Sequence, residues 1–113
     1  MVYRAIGLMS GSSLDGLDIA YVEFLENAGK WSYEILAADC YEYPVEWIER
    51  LKNAIELNAR DYLLLHTDYG HYIGEQVNRF VETNNLQYKV GLVASHGHTT
   101  FHEPGNKMTG QIG

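Results

Sequence analysis

The stretch Ile6-Gly-Leu-Met-Ser-Gly-Ser-Ser-Leu-Asp-Gly-Leu-Asp18 sets a turn of small residues between two apolar segments. Residues 3–9, before the turn, are almost continuously apolar, which is typical of a strand buried on both faces of a sheet. Residues 18–25, after the turn, alternate between two faces, as a second strand does. Because short turns join antiparallel strands, the stretch predicts a β-hairpin at the start of an α/β domain.

The following segments extend this hairpin into a mixed sheet with helices. Residues 31–41 alternate like a third antiparallel strand. Apolar residues recur at helical spacing over residues 44–57 and 61–83, which predicts two amphipathic helices that cover the faces of the sheet. Residues 90–95 are typical of a buried strand, and a strand that follows helices can pair parallel to the first one.

Three residues inside these elements carry structural expectations only. Gly70 and Gly74 lie within the second predicted helix, where each costs roughly 1 kcal/mol against Ala, so they predict a close approach by another backbone. Cys40 is the single cysteine and is expected to be a small buried hydrophobic residue. We assign it no chemistry.

Composition limits the function classes. A chain of 113 residues suffices for one compact core but not for two domains. A net charge of −7 with scattered Lys and Arg offers no basic stripe for nucleic acid or anionic lipid, so neither is an expected partner. No run approaches the ~20 apolar residues of a membrane span, and the first residues lack the features of a secretory signal, which predicts a cytoplasmic protein.

The turn itself has the composition of a phosphate-binding loop. Gly11, Ser12 and Ser13 can present successive N–H groups and two hydroxyls to an anion. Asp15 and Asp18 can hold a magnesium ion or its waters. The loop is not a Walker A loop, because no Gly-Lys-Ser/Thr follows and the next element is predicted as a strand. By composition alone, a plain hairpin turn stays the more frequent alternative.

A second polar stretch, Ser95-His-Gly-His-Thr-Thr-Phe-His-Glu-Pro104, begins where the predicted parallel strand ends. Ligands of open α/β sheets gather beyond the carboxyl ends of the strands, so His96, His98 and Thr99 are candidates for substrate contacts. On an extended segment the two histidines are expected to point the same way, which leaves a zinc or iron site with His102 and Glu103 as an alternative. A purely structural loop is the third possibility.

Together the two stretches resemble a known family. Met9-Ser-Gly-Ser-Ser-Leu-Asp-Gly-Leu-Asp18 resembles the signature Met-Ser-Gly-Thr-Ser-x-Asp-Gly-x-Asp of anhydro-N-acetylmuramic acid kinases, and Ser95-His-Gly-His-Thr99 resembles their Ser/Cys-His-Gly-Gln-Thr. The segments His102-Glu-Pro104 and Gln111-Ile-Gly113 follow in the family's order. Ser12 stands where the family usually has Thr, and His98 where it has Gln.

The resemblance implies an incomplete actin-like ATPase (ribonuclease H-like) domain, with residues 1–113 as its amino-terminal part. It implies a kinase of peptidoglycan recycling that uses ATP and Mg²⁺ to open 1,6-anhydro-N-acetylmuramic acid and form N-acetylmuramic acid 6-phosphate. Carried over by position, the ATP phosphate site comprises Gly11, Ser12, Ser13, Asp15, Gly16 and Asp18. His96, Gly97, His98 and Thr99 are expected near the sugar.

The resemblance also implies what this chain lacks. The family's catalytic Asp lies in an Asp-Phe-Arg segment beyond Gly113, so we expect no catalytic residue in this chain. A homodimer is an open expectation for its assembly. Two rival interpretations remain, a metal-dependent hydrolase that uses His96 and His98 with a later ligand, and an actin-like nucleotide-binding scaffold.

Overall fold

A computed structural model describes all 113 residues, Met1–Gly113. They form a five-stranded mixed sheet in the order β3-β2-β1-β4-β5, with two α-helices between the third and fourth strands. The strands are β1 (Val2–Ser10), β2 (Gly16–Asn27), β3 (Lys30–Glu42), β4 (Leu92–Glu103) and β5 (Met108–Ile112), and the helices are α1 (Val45–Lys52) and α2 (Ala59–Thr83).

The predicted meander of three antiparallel strands is confirmed. β1 pairs antiparallel with β2 from Val2↔Leu25 to Ser10↔Leu17. β2 pairs antiparallel with β3, with one irregularity in register near Tyr21. The predicted α/β class follows from this meander and the two helices that come after it.

Both predicted helices are present, with a short 3₁₀ turn at Ala54–Glu56 between them. α2 begins after Asn58, whose side-chain oxygen accepts a hydrogen bond from the Asp61 N–H at 2.8 Å, as an N-cap does. No helix of the chain combines the length and apolar character needed to cross a membrane. The predicted apolar stripe of α2 packs on the sheet, and its fully or partly buried members are Tyr62, Leu65, Tyr69, Ile73, Val77 and Phe80.

Only one face of the sheet is covered, so the predictions of helices on both faces and of a strand buried on both faces are wrong. Ile6 and Leu8 of β1 are buried, whereas Met9 between the covered positions is 53% exposed. Because residues alternate along a strand, every second side chain of β1 faces outward. Cys40 lies exposed on β3, which corrects its expected burial.

The glycine pair in α2 also differs from expectation. A Cβ built on Gly70 or Gly74 would meet no atom within 4 Å outside the helix's own neighbouring backbone. No other backbone of this chain therefore approaches the helix there.

β4 pairs parallel to β1, as predicted, from Ala5↔Leu92 onward. The strand is longer than residues 90–95 and continues to Glu103, and residues 92–96 are exposed rather than buried. The chain ends in a hairpin, in which β5 pairs antiparallel with β4 across a turn at Pro104–Asn106.

Gly97 makes this arrangement of β4 and β5 possible. Its φ is +75°, a conformation that side chains other than glycine's seldom adopt, and a Cβ there would clash with the carbonyl oxygen of Ile112. Neither the backbone geometry nor the space admits a side chain.

We expect Gly97→Ala to lower the free energy of unfolding by about 2–4 kcal/mol, because it combines left-handed backbone strain with a steric clash. Gly7→Ala is the matched control, because a Cβ at Gly7 would meet nothing within 4 Å. Urea denaturation of both variants measures the difference. Equal stabilities of the two would contradict this account of Gly97.

Candidate functional site

The two polar stretches meet where β1 and β4 run side by side. Leu8 pairs with Ser95 and Ser10 pairs with His98, with an irregularity in register between the two pairs. Because the strands are parallel, the loop after β1 and the second half of β4 emerge at neighbouring positions. The two motifs are therefore neighbours at one end of the sheet.

Residues 11–15 connect β1 to β2 as a compact loop. Leu14 adopts a left-handed φ of 59°, and its N–H donates to the carbonyl oxygen of Gly11 at 3.2 Å. The N–H groups of Ser12, Ser13 and Asp15 have no acceptor within the chain, and all three residues are exposed. A loop that leaves several N–H groups unpaired and exposed can bind an anion through the backbone.

The structure has space for a side chain at Gly11 but not at Gly16. A Cβ on Gly11 would meet only the Ser13 hydroxyl, at 3.7 Å, so the fold itself tolerates a side chain there. A Cβ on Gly16 would lie 2.6 Å from the Tyr41 carbonyl oxygen. Gly16 is thus required by the close packing of β3, whatever its part in binding.

The open face of the sheet holds a broad depression of about 770 Å³ beside this loop. It brings together two predicted site residues, Asp18 from β2 and His96 from β4. Asp39 and Ser95 also line it, and sequence reasoning did not single them out as site residues. The depression is lined mostly by apolar residues, and two carboxylates, a hydroxyl and an imidazole lie among them.

His96 and His98 point to opposite sides of the sheet, so the prediction that they share a direction is wrong. His96 is exposed on the open face, whereas His98 is only 4% exposed on the covered face. The left-handed Gly97 and the shifted register between them break the alternation of the strand. No three His, Cys, Asp or Glu side chains of the chain gather closely enough to bind a metal ion.

Thr99 and His96 are linked by a residue of β5. The Gln111 side-chain nitrogen donates to Thr99 Oγ1 at 3.2 Å and lies 3.4 Å from His96 Nε2. All three side chains remain at least partly accessible. Gln111 appeared in the sequence only as part of the Gln-Ile-Gly segment, and its neighbours could not be foreseen without the pairing of β4 with β5.

His98 belongs instead to a buried polar cluster. Its Nδ1 lies 2.9 Å from Ser10 Oγ, and Ser10 also accepts a hydrogen bond from the Tyr43 hydroxyl at 2.6 Å. The Tyr43 hydroxyl lies 2.6 Å from that of Tyr69 on α2. Burial lowers the pKa of His98 and raises the pKa values of Tyr43 and Tyr69, so neutral forms are favoured for all three.

Sequence reasoning missed Ser10, Tyr43 and Tyr69 as parts of this site. Tyr69 was assigned to the apolar stripe of a helix, and that assignment explains its burial completely. Tyr43 lies between a strand and a helix, and nothing local indicates a partner for it. A serine at the end of a buried strand was the one available signal that a polar partner is needed.

The comparisons with known proteins agree with this arrangement of motifs. Residues 3–113 match the family described as Anhydro-N-acetylmuramic acid kinase. A protein of that name from Picosynechococcus is 34% identical over 95% of this chain, and one from Francisella tularensis subsp. novicida is 30% identical over 90%. A third, from Sulfurimonas denitrificans, is 34% identical over 88% of the chain.

The chain spans only 28%, 28% and 27% of the lengths of these three relatives. The match nevertheless covers nearly every residue of the chain and includes both polar motifs. The chain thus belongs to the anhydro-N-acetylmuramic acid kinase family.

Proposed function

We propose that this chain carries the phosphate loop and part of the sugar site of an ATP-dependent kinase that converts 1,6-anhydro-N-acetylmuramic acid to N-acetylmuramic acid 6-phosphate. The relatives bear the name of this activity, and the chain spans about 28% of their length. The activity therefore belongs to the full-length protein. We infer a cytoplasmic location for it, because ATP is its phosphoryl donor.

The observation that carries the proposal is the loop of residues 11–15 with its unpaired N–H groups. Phosphoryl transfer depends chiefly on positioning and on stabilising charge, and backbone N–H groups supply both without a charged side chain. Ser12 and Ser13 add two exposed hydroxyls to the same loop. These N–H groups and hydroxyls are suited to binding the phosphates of ATP.

A magnesium ion fits the carboxylates beside the loop. Mg²⁺ usually takes one or two protein carboxylates and completes its shell with water and phosphate oxygens. Asp15 and Asp18 are both exposed and would supply these ligands. When bound, the ion would neutralise charge that develops on the phosphates.

The residues proposed for the sugar divide into contacts and supports. His96 and Thr99 remain accessible to a ligand, and Gly97 is needed for the backbone path between them. His98 has little surface for a direct contact with the sugar, and we propose that it holds Ser10 in place through the hydrogen bond between them. A glutamine amide oxygen could accept the same hydrogen bond from Ser10, so the His98 departure preserves this function.

The proposed activity is tested with the purified full-length protein, ATP, Mg²⁺ and 1,6-anhydro-N-acetylmuramic acid. We expect ATP turnover only when the sugar is present, with formation of a 6-phosphorylated product detectable by mass spectrometry. N-acetylmuramic acid without the anhydro bridge is the control substrate. ATP hydrolysis that is indifferent to the sugar would contradict the proposal and favour a nucleotide-binding scaffold.

We expect Gly11→Val in the full-length protein to weaken ATP binding at least tenfold, because a branched side chain keeps a phosphate from the backbone N–H groups. The fold should survive, since the space around Gly11 is open. Gly105→Val is the matched control, because a Cβ there also meets no neighbour and the residue lies in the turn before β5. Calorimetry that finds equal ATP affinities in both variants would remove Gly11 from the phosphate site.

We expect stability and ATP affinity to fall below about pH 6.5 in the wild type and to change less in His98→Gln. The sign follows from linkage: burial lowers the pKa of His98, so the unfolded chain binds a proton more readily and stability is lost as the pH drops through the unfolded value. At pH 8 the two proteins should behave alike. The other histidines are present in both proteins, so their titration cancels, and superimposable pH profiles would refute this role for His98.

A further inference from the structure

A chain of buried hydrogen bonds runs from α2 to the start of the phosphate loop. It links Tyr69 to Tyr43 at 2.6 Å, Tyr43 to Ser10 at 2.6 Å, and Ser10 to His98 at 2.9 Å. Its four members come from different parts of the fold: α2, the segment between β3 and α1, the last residue of β1, and β4. Each is at most 5% exposed.

Counting the hydrogens fixes the direction of the bonds between the tyrosines and Ser10, and the bond between Ser10 and His98 follows the tautomer of the imidazole. The Tyr43 hydroxyl donates to Ser10, so it must accept from the Tyr69 hydroxyl. Ser10 has one hydrogen, which is then free for an unprotonated His98 Nδ1. With Nδ1 unprotonated, the hydroxyls of Tyr43 and Ser10 each donate once and accept once, and such bonds strengthen one another in a buried environment.

Ser10 is the residue that immediately precedes Gly11, the first residue of the phosphate loop. Its Oγ is held from two sides, by Tyr43 and by His98. The backbone of Ser10 is also fixed in the ladder, because it pairs with Leu17 of β2 and with His98 of β4. The direction in which the loop leaves β1 is thus set at this residue.

We propose that Tyr43 and Tyr69 are positioning residues for the phosphate loop, which hold Ser10 through the buried hydrogen-bond chain and so fix where the loop's N–H groups meet the phosphates of ATP. This inference rests on the function proposed above. Neither tyrosine touches the ligand, and both act through Ser10.

A neighbouring tyrosine separates the effect of the hydroxyls from that of the rings. Tyr72 stacks with Tyr69 at a centroid distance of 6.2 Å and lies 5.8 Å from the ring of Tyr43. It is 8% exposed and its hydroxyl makes no hydrogen bond within the chain. Tyr72 therefore shares the ring packing of the cluster but not its hydrogen-bond chain, which makes it a control for the hydroxyls of Tyr43 and Tyr69.

The test compares Tyr43→Phe, Tyr69→Phe and Tyr72→Phe in the full-length kinase. Tyr43→Phe interrupts the middle of the chain and should weaken ATP binding about fivefold to tenfold, as the loss of a buried hydrogen bond does. Tyr69→Phe removes only the far end and should weaken it about twofold to threefold. Tyr72→Phe should leave ATP affinity and turnover unchanged.

The readouts are the Kd for ATP from calorimetry at a temperature where each variant is folded, and the KM values for ATP and for the anhydro sugar. A loop-positioning role raises the KM for ATP and leaves that for the sugar unchanged, since the bond between Ser10 and His98 is kept in all three variants. A merely structural role would lower the melting temperature without changing either KM.

Two outcomes overturn the inference: a folded Tyr43→Phe with wild-type ATP affinity, or an equal loss of affinity in Tyr72→Phe. If Tyr43→Phe does not fold, the Tyr69→Phe variant provides the test. Wild-type ATP affinity in Tyr69→Phe would then overturn the inference. A wild-type protein that binds no ATP overturns the proposed function and this inference together. If the wild type shows sugar-dependent ATP turnover and the Tyr43→Phe and Tyr69→Phe variants bind ATP as tightly as the wild type, only the positioning role is overturned.

Discussion

The parallel pairing of β1 with β4 is the interaction on which the rest of the structure depends. It sets Leu8 beside Ser95 and Ser10 beside His98, although 87 or 88 residues separate the members of each pair along the chain. Such pairing requires a crossover through helices, and α1 and α2 supply it. Without this register the loop of residues 11–15 and the His96–Thr99 segment would have no reason to be neighbours.

The helices cover one face of the sheet and leave the other open, so the two faces hold different kinds of residues. The covered face holds the hydrophobic core and the chain from Tyr69 to His98, where burial favours neutral side chains and strengthens hydrogen bonds. The open face carries Asp18 and His96, whose polar groups meet solvent. The buried hydrogen-bond chain and the solvent-facing polar groups are thus separated by one layer of strands.

Much of the fold could be predicted from sequence patterns, because β1, β2 and both helices each bury one stripe or face, and because β3 and β4 have the composition of strands even where they are exposed. Which faces of the sheet the helices cover could not be predicted, because an apolar run such as residues 3–9 is compatible with a strand buried on one face or on both. The two motifs were recognisable by their order and spacing. Their internal geometry was not, because the bulge at Gly97 and the partners of Tyr43 depend on contacts between residues far apart in the sequence.

The change of face at Gly97 gives the two flanking histidines unequal freedom to vary. Position 96 faces solvent, so a new side chain there has little effect on folding. A side chain at position 98 must fill a buried volume and form a hydrogen bond with Ser10, which admits few residue types. Two positions only two residues apart on the same strand are therefore constrained differently, one by solvent and the other by the packing of the core.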